Sequence, residues 1–195
     1  MKTFSREILV PLILAVAIFF LLRATVQSFV VVECCMEPNF ESGERLLVNK
    51  VVYHFREPER GDVIILHPPL NPEAVYIKRI IALSGDTVEI KMGAVYINGS
   101  KLNEPYIKEP PSYTFPQEKI PKNEYFVLGD NRNNANDSHK GWTVPRQNII
   151  GKAWLSFWPP SEWGLVANYS LEEQLEAVQL LDNLLSAKGA IWQQQ

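Results

Sequence analysis

The spacing of apolar and polar positions changes character twice along the chain. From Ile8 to Leu22 (ILVPLILAVAIFFLL) every residue is apolar, with Lys2 and Arg6 before the run and Arg23 after it. A run with no polar face to turn towards water reads as a helix that meets a membrane. Fifteen residues fall short of the roughly 20 that cross a bilayer core, so a cleavable secretory signal is the first rival reading. Against it, Ala24-Thr25-Val26 and Val26-Gln27-Ser28 match a small-x-small cleavage site poorly, and apolar residues resume at Phe29-Val30-Val31-Val32. If Arg23 reaches back to the interface, an uncleaved span runs from about Phe4 to about Val26. Lys2, Arg6 and the amino terminus favour a cytoplasmic N-terminus, although Arg23 weakens the bias. Residues 1–28 are therefore expected to form one transmembrane helix with its cytoplasmic lead.

Beyond Ser28 the period shortens to that of strands. Val63–Leu66, Val75–Ala82, Thr87–Lys91, Ala94–Ile97, Tyr125–Leu128 and Lys152–Phe157 are rich in β-branched and aromatic residues at sheet-like lengths. Asn98-Gly99, between Val95-Tyr96-Ile97 and Lys101-Leu102, is a strong two-residue hairpin signal. Residues 29–165 thus read as a mostly β domain. Within it Asn103 to Asn123 carries Pro105, Pro110, Pro111, Pro116 and Pro121, which remove backbone donors, and reads as an irregular surface excursion.

The last stretch, residues 166–195, changes period again. Ser170 and Glu173 make a capping box, and Leu171, Leu175, Val178, Leu181 and Leu185 recur at helical spacing. An amphipathic helix is expected from Leu171 to Ala187. Its polar face carries Glu172, Glu173, Glu176 and Asp182, which anionic lipid would repel. Two readings stay open for its apolar face: packing on its own domain, or docking to a protein partner.

Composition narrows the classes. At 195 residues there is room for one globular domain with an appendage, and 46% hydrophobic residues suffice for a core. Nineteen Lys+Arg against 22 Asp+Glu lack the basic excess of a nucleic-acid binder. The two cysteines are adjacent, Cys34 and Cys35, so they staple nothing. His54, His67 and His139 show no ligand-like spacing, so neither a metal nor another cofactor is expected.

Three constellations remain as candidate chemistry. Cys35-Met36-Glu37-Pro38 lies a few residues beyond the apolar span, so a nucleophile there would work at the membrane surface. Arg60-Gly61-Asp62-Val63 is followed by Tyr76-Ile77-Lys78-Arg79 and Ser84-Gly85-Asp86. Strand alternation puts Tyr76, Lys78 and Ile80 on one face, among apolar side chains, where loss of hydration disfavours an ammonium and frees the amine as a base. Gly129-Asp130-Asn131-Arg132, running on to Asp137-Ser138, suits a loop that buttresses a site. Singly these signals are weak, since a lone strand lysine is mostly solvated and Gly-Asp-Asn is mostly a turn.

Their order behind an N-terminal anchor closely resembles the type I signal peptidase (leader peptidase) family, from about Lys2 to Gly164. The resemblance implies a mostly β catalytic domain of signal peptidase I type, on the outer or lumenal face of a plasma or thylakoid-type membrane. It implies an endopeptidase that removes signal peptides from secretory precursors with a Ser/Lys dyad. Carried over by position, Cys35 stands at the nucleophile and Lys78 at the general base, with Met36, Pro38, Arg79, Asp130, Asn131, Arg132 and Asp137 as the supporting frame. The departures cluster at the same place. A thiol replaces the family's serine hydroxyl, and a resting thiolate and ammonium would leave no free base for hydrolysis of the acyl-enzyme. Glu33 stands where a serine usually helps hold the oxyanion, Ala135 where a serine usually orients the lysine, and Asn39 replaces a usual threonine. An active Cys/Lys peptidase and a catalytically impaired paralogue that binds exported precursors are both compatible with this pattern.

Overall fold

The computed structural model describes residues 2–169, 171–175, 177 and 180. The apolar run lies in one helix, α1 (Lys2–Thr25), which ends one residue before the first strand. Its Glu7–Thr25 stretch has a mean hydropathy of 2.5 and no buried residues. At 1.5 Å per residue those 19 residues cover about 28 Å, close to a bilayer core.

Twelve strands follow: β1 (Val26–Val30), β2 (Arg45–Asn49), β3 (Val63–Leu66), β4 (Tyr76–Ala82), β5 (Thr87–Lys91), β6 (Ala94–Ile97), β7 (Ser100–Lys101), β8 (Phe115–Lys119), β9 (Glu124–Leu128), β10 (Val144–Pro145), β11 (Ile149–Trp158) and β12 (Gly164–Leu165). One helical turn, α2 (Val52–Phe55), interrupts them. An antiparallel sheet runs β1-β2-β11-β3-β4-β9-β10, with β12 also on β11, and a second sheet runs β7-β6-β5-β8.

The large sheet is covered on both faces, which explains why Val63-Ile64-Ile65-Leu66 has no polar alternation. Val63, Ile65 and Ile77 pack with Met36, Phe40 and Cys35 on one side. Ile64, Leu66 and Ile80 pack with Tyr53, Val127 and Trp142 on the other. The small sheet closes a third cluster, in which Val88, Ile90, Val95 and Phe115 meet Phe126, Leu128, Leu171 and Leu175.

All six expected strands are present, displaced by three residues at most. The hairpin at Asn98-Gly99 is present too, with both residues at positive φ (52° and 83°) and Ile97 paired to Ser100. The stretch from Asn103 to Asn123, expected to be irregular surface, departs from that reading. Phe115–Lys119 is a strand on the edge of the small sheet, where Pro116 is tolerated because the register slips beside it. Leu102 and Tyr106, flanking Asn103, are buried. Strands β1 and β2 lack the long β-branched runs that marked the others. The expected helix from Leu171 to Ala187 is helical at residues 171–175, 177 and 180, and its other residues, with the Ser170 cap, lie outside the described residues.

Gly61 fixes how the chain after β12 returns to the sheet. It has φ of +94°, and a Cβ there would overlap the carbonyl oxygen of Tyr169. Gly61→Ala is therefore expected to destabilise the protein by roughly 1–3 kcal/mol, lowering the melting temperature of the detergent-solubilised chain by about 2–4 °C for each kcal/mol. An unchanged melting curve would show that the Tyr169 segment yields freely.

Candidate active site

The cysteine pair opens a short 3-10 helix, Cys34–Met36, between the end of β1 and β2. Met36 is fully buried and acts as its plug, and its carbonyl accepts the N–H groups of Asn39 and Phe40, which follow Pro38 and close the turn. The exposed Cys34 and the buried Cys35 therefore face opposite ways. Cys35 lies in the first turn, where a backbone N–H has no intrahelical acceptor.

The loop after β9 grips this turn from behind. Asn131 donates its backbone N–H to the Cys35 carbonyl and its Nδ2 to the Cys34 carbonyl, both at 3.0 Å. Gly129 must be glycine for the two segments to approach. A Cβ there would meet the Cys35 oxygen at 2.5 Å and the Ala135 Cβ at 2.6 Å.

Lys78 comes from β4, where it is registered against Ile64 of β3 and is 1% exposed. Its Nζ lies 3.0 Å from Cys35 Sγ and donates to the Ile77 carbonyl at 3.0 Å. The Tyr76 ring stands 5.2 Å from the same nitrogen. Among the described residues no carboxylate pairs with Lys78, so the sulfur is its one side-chain hydrogen-bond partner. Cys35 and Lys78 form the base of a cleft of about 340 Å³ whose walls are Phe29, Val32, Val75, Tyr76 and Ile77. Glu33, exposed, is the one carboxylate on that wall, and Ala135 packs against the cluster that holds Cys35.

A buried polar frame surrounds the pair. Arg79, next to Lys78, holds Asp130 in a two-pronged contact, Nε to Oδ1 at 2.8 Å and Nη2 to Oδ2 at 2.6 Å. Burial works against this guanidinium, but the hydrogen bonds and charge of Asp130 outweigh it, leaving the Arg79 pKa above the ordinary arginine value. Arg79 also donates to the Gly61 carbonyl and lies under the rings of Tyr106 and Tyr169. Arg132 donates to the Gly129 carbonyl and pairs with Glu104 through both terminal nitrogens. Asp137 accepts the Gly129 N–H at 2.9 Å and the backbone N–H of His139.

Cys35, Lys78, Met36, Arg79, Asp130, Asn131, Arg132, Asp137, Glu33 and Ala135 thus lie in or against one site, whereas Pro38, Ser84 and Gly85 are exposed, Asp62 is held by Tyr53, Arg56 and Lys152, and Asp86 pairs with Arg60. Two further members, Glu104 and Tyr106, carry no site signal of their own, and Asn39, read from the sequence only as a replacement for a usual threonine, joins the same frame. Asn39 Nδ2 bridges Asp130 (2.8 Å) and the Tyr106 carbonyl (2.7 Å), while Glu104 and Tyr106 sit in or beside the proline-rich stretch. Only their distant partners reveal them. Outside the frame, Glu37 pairs with Lys108 and raises the pKa of the Cys34 thiol, first through a hydrogen bond and then through its charge.

Comparison with known proteins follows the same residues. The family model described as signal peptidase, peptidase S26, matches residues 5–158. A probable signal peptidase I-1 of Synechocystis sp. is 47% identical over 142 residues, spanning 69% of this chain and 72% of its own. Signal peptidase I of Leptolyngbya laminosa is 48% identical over 136 residues, spanning 66% and 67%. The chloroplastic thylakoidal processing peptidase 1 of Arabidopsis thaliana is 39% identical over 137 residues, spanning 65% and 40%. With the match running through the apolar helix, Cys35, Lys78 and the loop from Gly129 to Asp137, this chain belongs to the signal peptidase family, peptidase S26.

Proposed function

We propose that the protein is a membrane-anchored endopeptidase that removes signal peptides from exported precursors, with the Cys35 thiol as nucleophile and Lys78 as general base. The observation that carries this reading is the 3.0 Å approach of Lys78 Nζ to Cys35 Sγ at the base of an apolar cleft. In this reading α1 anchors residues 29–165 to the outer or lumenal face of a plasma or thylakoid-type membrane, with the N-terminus cytoplasmic. The precursor lies in the cleft as an added strand, its main chain giving affinity and small side chains before the cut entering shallow pockets.

The proposed reaction is acyl transfer in two halves. Lys78 takes the thiol proton as Sγ adds to the scissile carbonyl carbon, and the backbone N–H of Cys35 receives the oxyanion. Collapse expels the amine of the mature protein with the Lys78 proton and leaves a thioester on Cys35. Neutral Lys78 then takes a proton from water, whose oxygen attacks the thioester, and Sγ leaves with the signal peptide's carboxyl group released. Asn131, Asp130 and Arg79 act only as positioning residues, since they hold the backbone on which Sγ and Nζ stand.

A precursor with an Ala-x-Ala site, incubated with the detergent-solubilised protein and followed by mass spectrometry, is expected to be cut after the second alanine. Cys35→Ala should stop the cleavage while leaving the fold intact. A chain that binds this precursor and never cuts it would instead be the impaired paralogue.

The two thiols should separate by chemistry. Iodoacetamide at neutral pH is expected to label Cys35 faster than Cys34, and Lys78→Met should slow Cys35 alone. Because Glu37 raises the Cys34 pKa, less Cys34 thiolate is present at any pH below that value. Glu37→Gln is therefore expected to speed Cys34 labelling and shift its pH profile downwards. Equal rates at both cysteines, unmoved by Lys78→Met, would refute the dyad.

The departures around the dyad should act together. Cys35→Ser alone leaves Glu33 unable to donate to an oxyanion and Ala135 without a hydroxyl. Combined with Glu33→Ser and Ala135→Ser it is expected to raise cleavage at least about tenfold over the natural chain, near the low end of one oxyanion donor, and by more than the separate changes predict. Rates for all eight combinations measure this. A natural chain as fast as the triple variant would mean that the thiol site is already complete.

A further inference from the structure

We propose that the pocket at the domain end of α1 binds the headgroup of an anionic phospholipid. The inference rests on the reading of α1 as a membrane anchor. The helix ends at Thr25 and β1 starts at Val26, so the chain passes from the apolar span directly into the sheet. The backbone N–H of Lys50 donates to the Thr25 carbonyl at 2.9 Å, and Val26 is registered against Asn49. Lys50 is thereby held level with the last turn of the anchor.

The rest of the pocket is built around this point. Asn49 Oδ1 accepts the N–H groups of Val51 and Val52, both at 3.0 Å, and so starts α2, which carries Tyr53 and His54. Arg146 arrives from the far side of the sequence and donates Nη2 to the Tyr53 carbonyl. Ala24, Lys50, Tyr53, His54 and Arg146, with Val51, Ile149 and Ile150, line a pocket of about 320 Å³.

Its charge is unbalanced. Lys50 and Arg146 are cationic, and no carboxylate lines the pocket. The nearby Asp62 is already occupied by Arg56, Lys152 and the Tyr53 hydroxyl. Glu57 is exposed and reaches Arg146 Nε only at 3.5 Å. Among the described residues Lys50 Nζ and Arg146 Nη1 have no hydrogen-bond or ion-pair partner. Two cations with spare donors fit the non-bridging oxygens of a phosphodiester. A zwitterionic headgroup brings its own cation and gains less. Acyl chains attached to that phosphate would run along the unburied sides of α1, and the ring of Phe55, 88% exposed beside His54, offers a further apolar contact at the interface.

The test uses the full chain in mild detergent, with native mass spectrometry reading the bound species after addition of dioleoyl-phosphatidylglycerol, dioleoyl-phosphatidylcholine or inorganic phosphate. Phosphatidylglycerol is expected to be retained over both others. Lys50→Gln should weaken its retention about fivefold, the worth of one basic residue at an anionic surface, and Lys50→Gln with Arg146→Gln should weaken it further. The Lys50 side chain makes no hydrogen bond or ion pair among the described residues, so its variant is expected to keep the native melting temperature; Arg146→Gln is checked by the same measurement. Equal retention of the two lipids, or no response to Lys50→Gln, would overturn the proposal. Inorganic phosphate bound as tightly as phosphatidylglycerol would overturn it too, leaving a bare anion pocket. Cleavage is not the readout, so a chain that cuts no precursor can still pass, and carbonate extraction from membranes reports the anchor separately.

Discussion

The contact between Arg79 and Asp130 is the constraint on which the site depends. Both side chains are at most 1% exposed, and a charge removed so completely from water costs several kcal/mol unless its partner and its remaining donors are placed well. Here they are. Asp130 takes Nε and Nη2 together and accepts from Asn39, while the third arm of Arg79 goes to the Gly61 carbonyl. Arg79 follows Lys78 in the chain, and Asp130 precedes Asn131, which holds both cysteine carbonyls. Through one pair of buried charges, the strand that carries the amine and the loop that clamps the thiol are fixed to each other.

The second buried pair, Arg132 with Glu104, does for the loop what the first does for the strand. It ties the Gly129 carbonyl to the segment before Tyr106, whose ring covers Arg79. Breaking either pair would leave a charge buried alone, so the frame has few ways to yield short of unfolding. Such stiffness suits the reaction proposed for Cys35 and Lys78, because small displacements of a nucleophile from its base cost rate steeply.

How much of this is legible in the sequence depends on the range of the interaction. Strands β3, β5 and β6 coincide with the segments read from residue type alone, because burial of their apolar side chains is a local property. β1 escapes because its alternation adjoins the apolar span, and β8 because Pro116 disguises an edge strand. Cys35, Lys78 and the Gly129–Asp137 loop stand out as ordered boxes, yet nothing local says that Nζ and Sγ meet. Their separation is 43 residues in sequence and 3.0 Å in space. Glu104 and Tyr106 are invisible for the same reason, since each matters through a partner 28 or 67 residues away.

A thiol beside an amine raises the concern that the pair rests as thiolate and ammonium, with no base left for hydrolysis. Following the proton through the proposed reaction removes that concern. Thiolate attack needs no base, and the departing amine carries off the Lys78 proton, so Lys78 is neutral when the thioester forms. It can then take a proton from water and return to ammonium as Sγ leaves as thiolate. The cycle closes from either resting state. The burden of the substitutions therefore shifts from the base to the oxyanion. Glu33 lines the cleft with a charge of the same sign as the one that develops during attack. Electrostatic support of that charge is commonly the largest single contribution to such a rate, so under the proposed reaction the Glu33 carboxylate is expected to oppose turnover more than the exchange of oxygen for sulfur does.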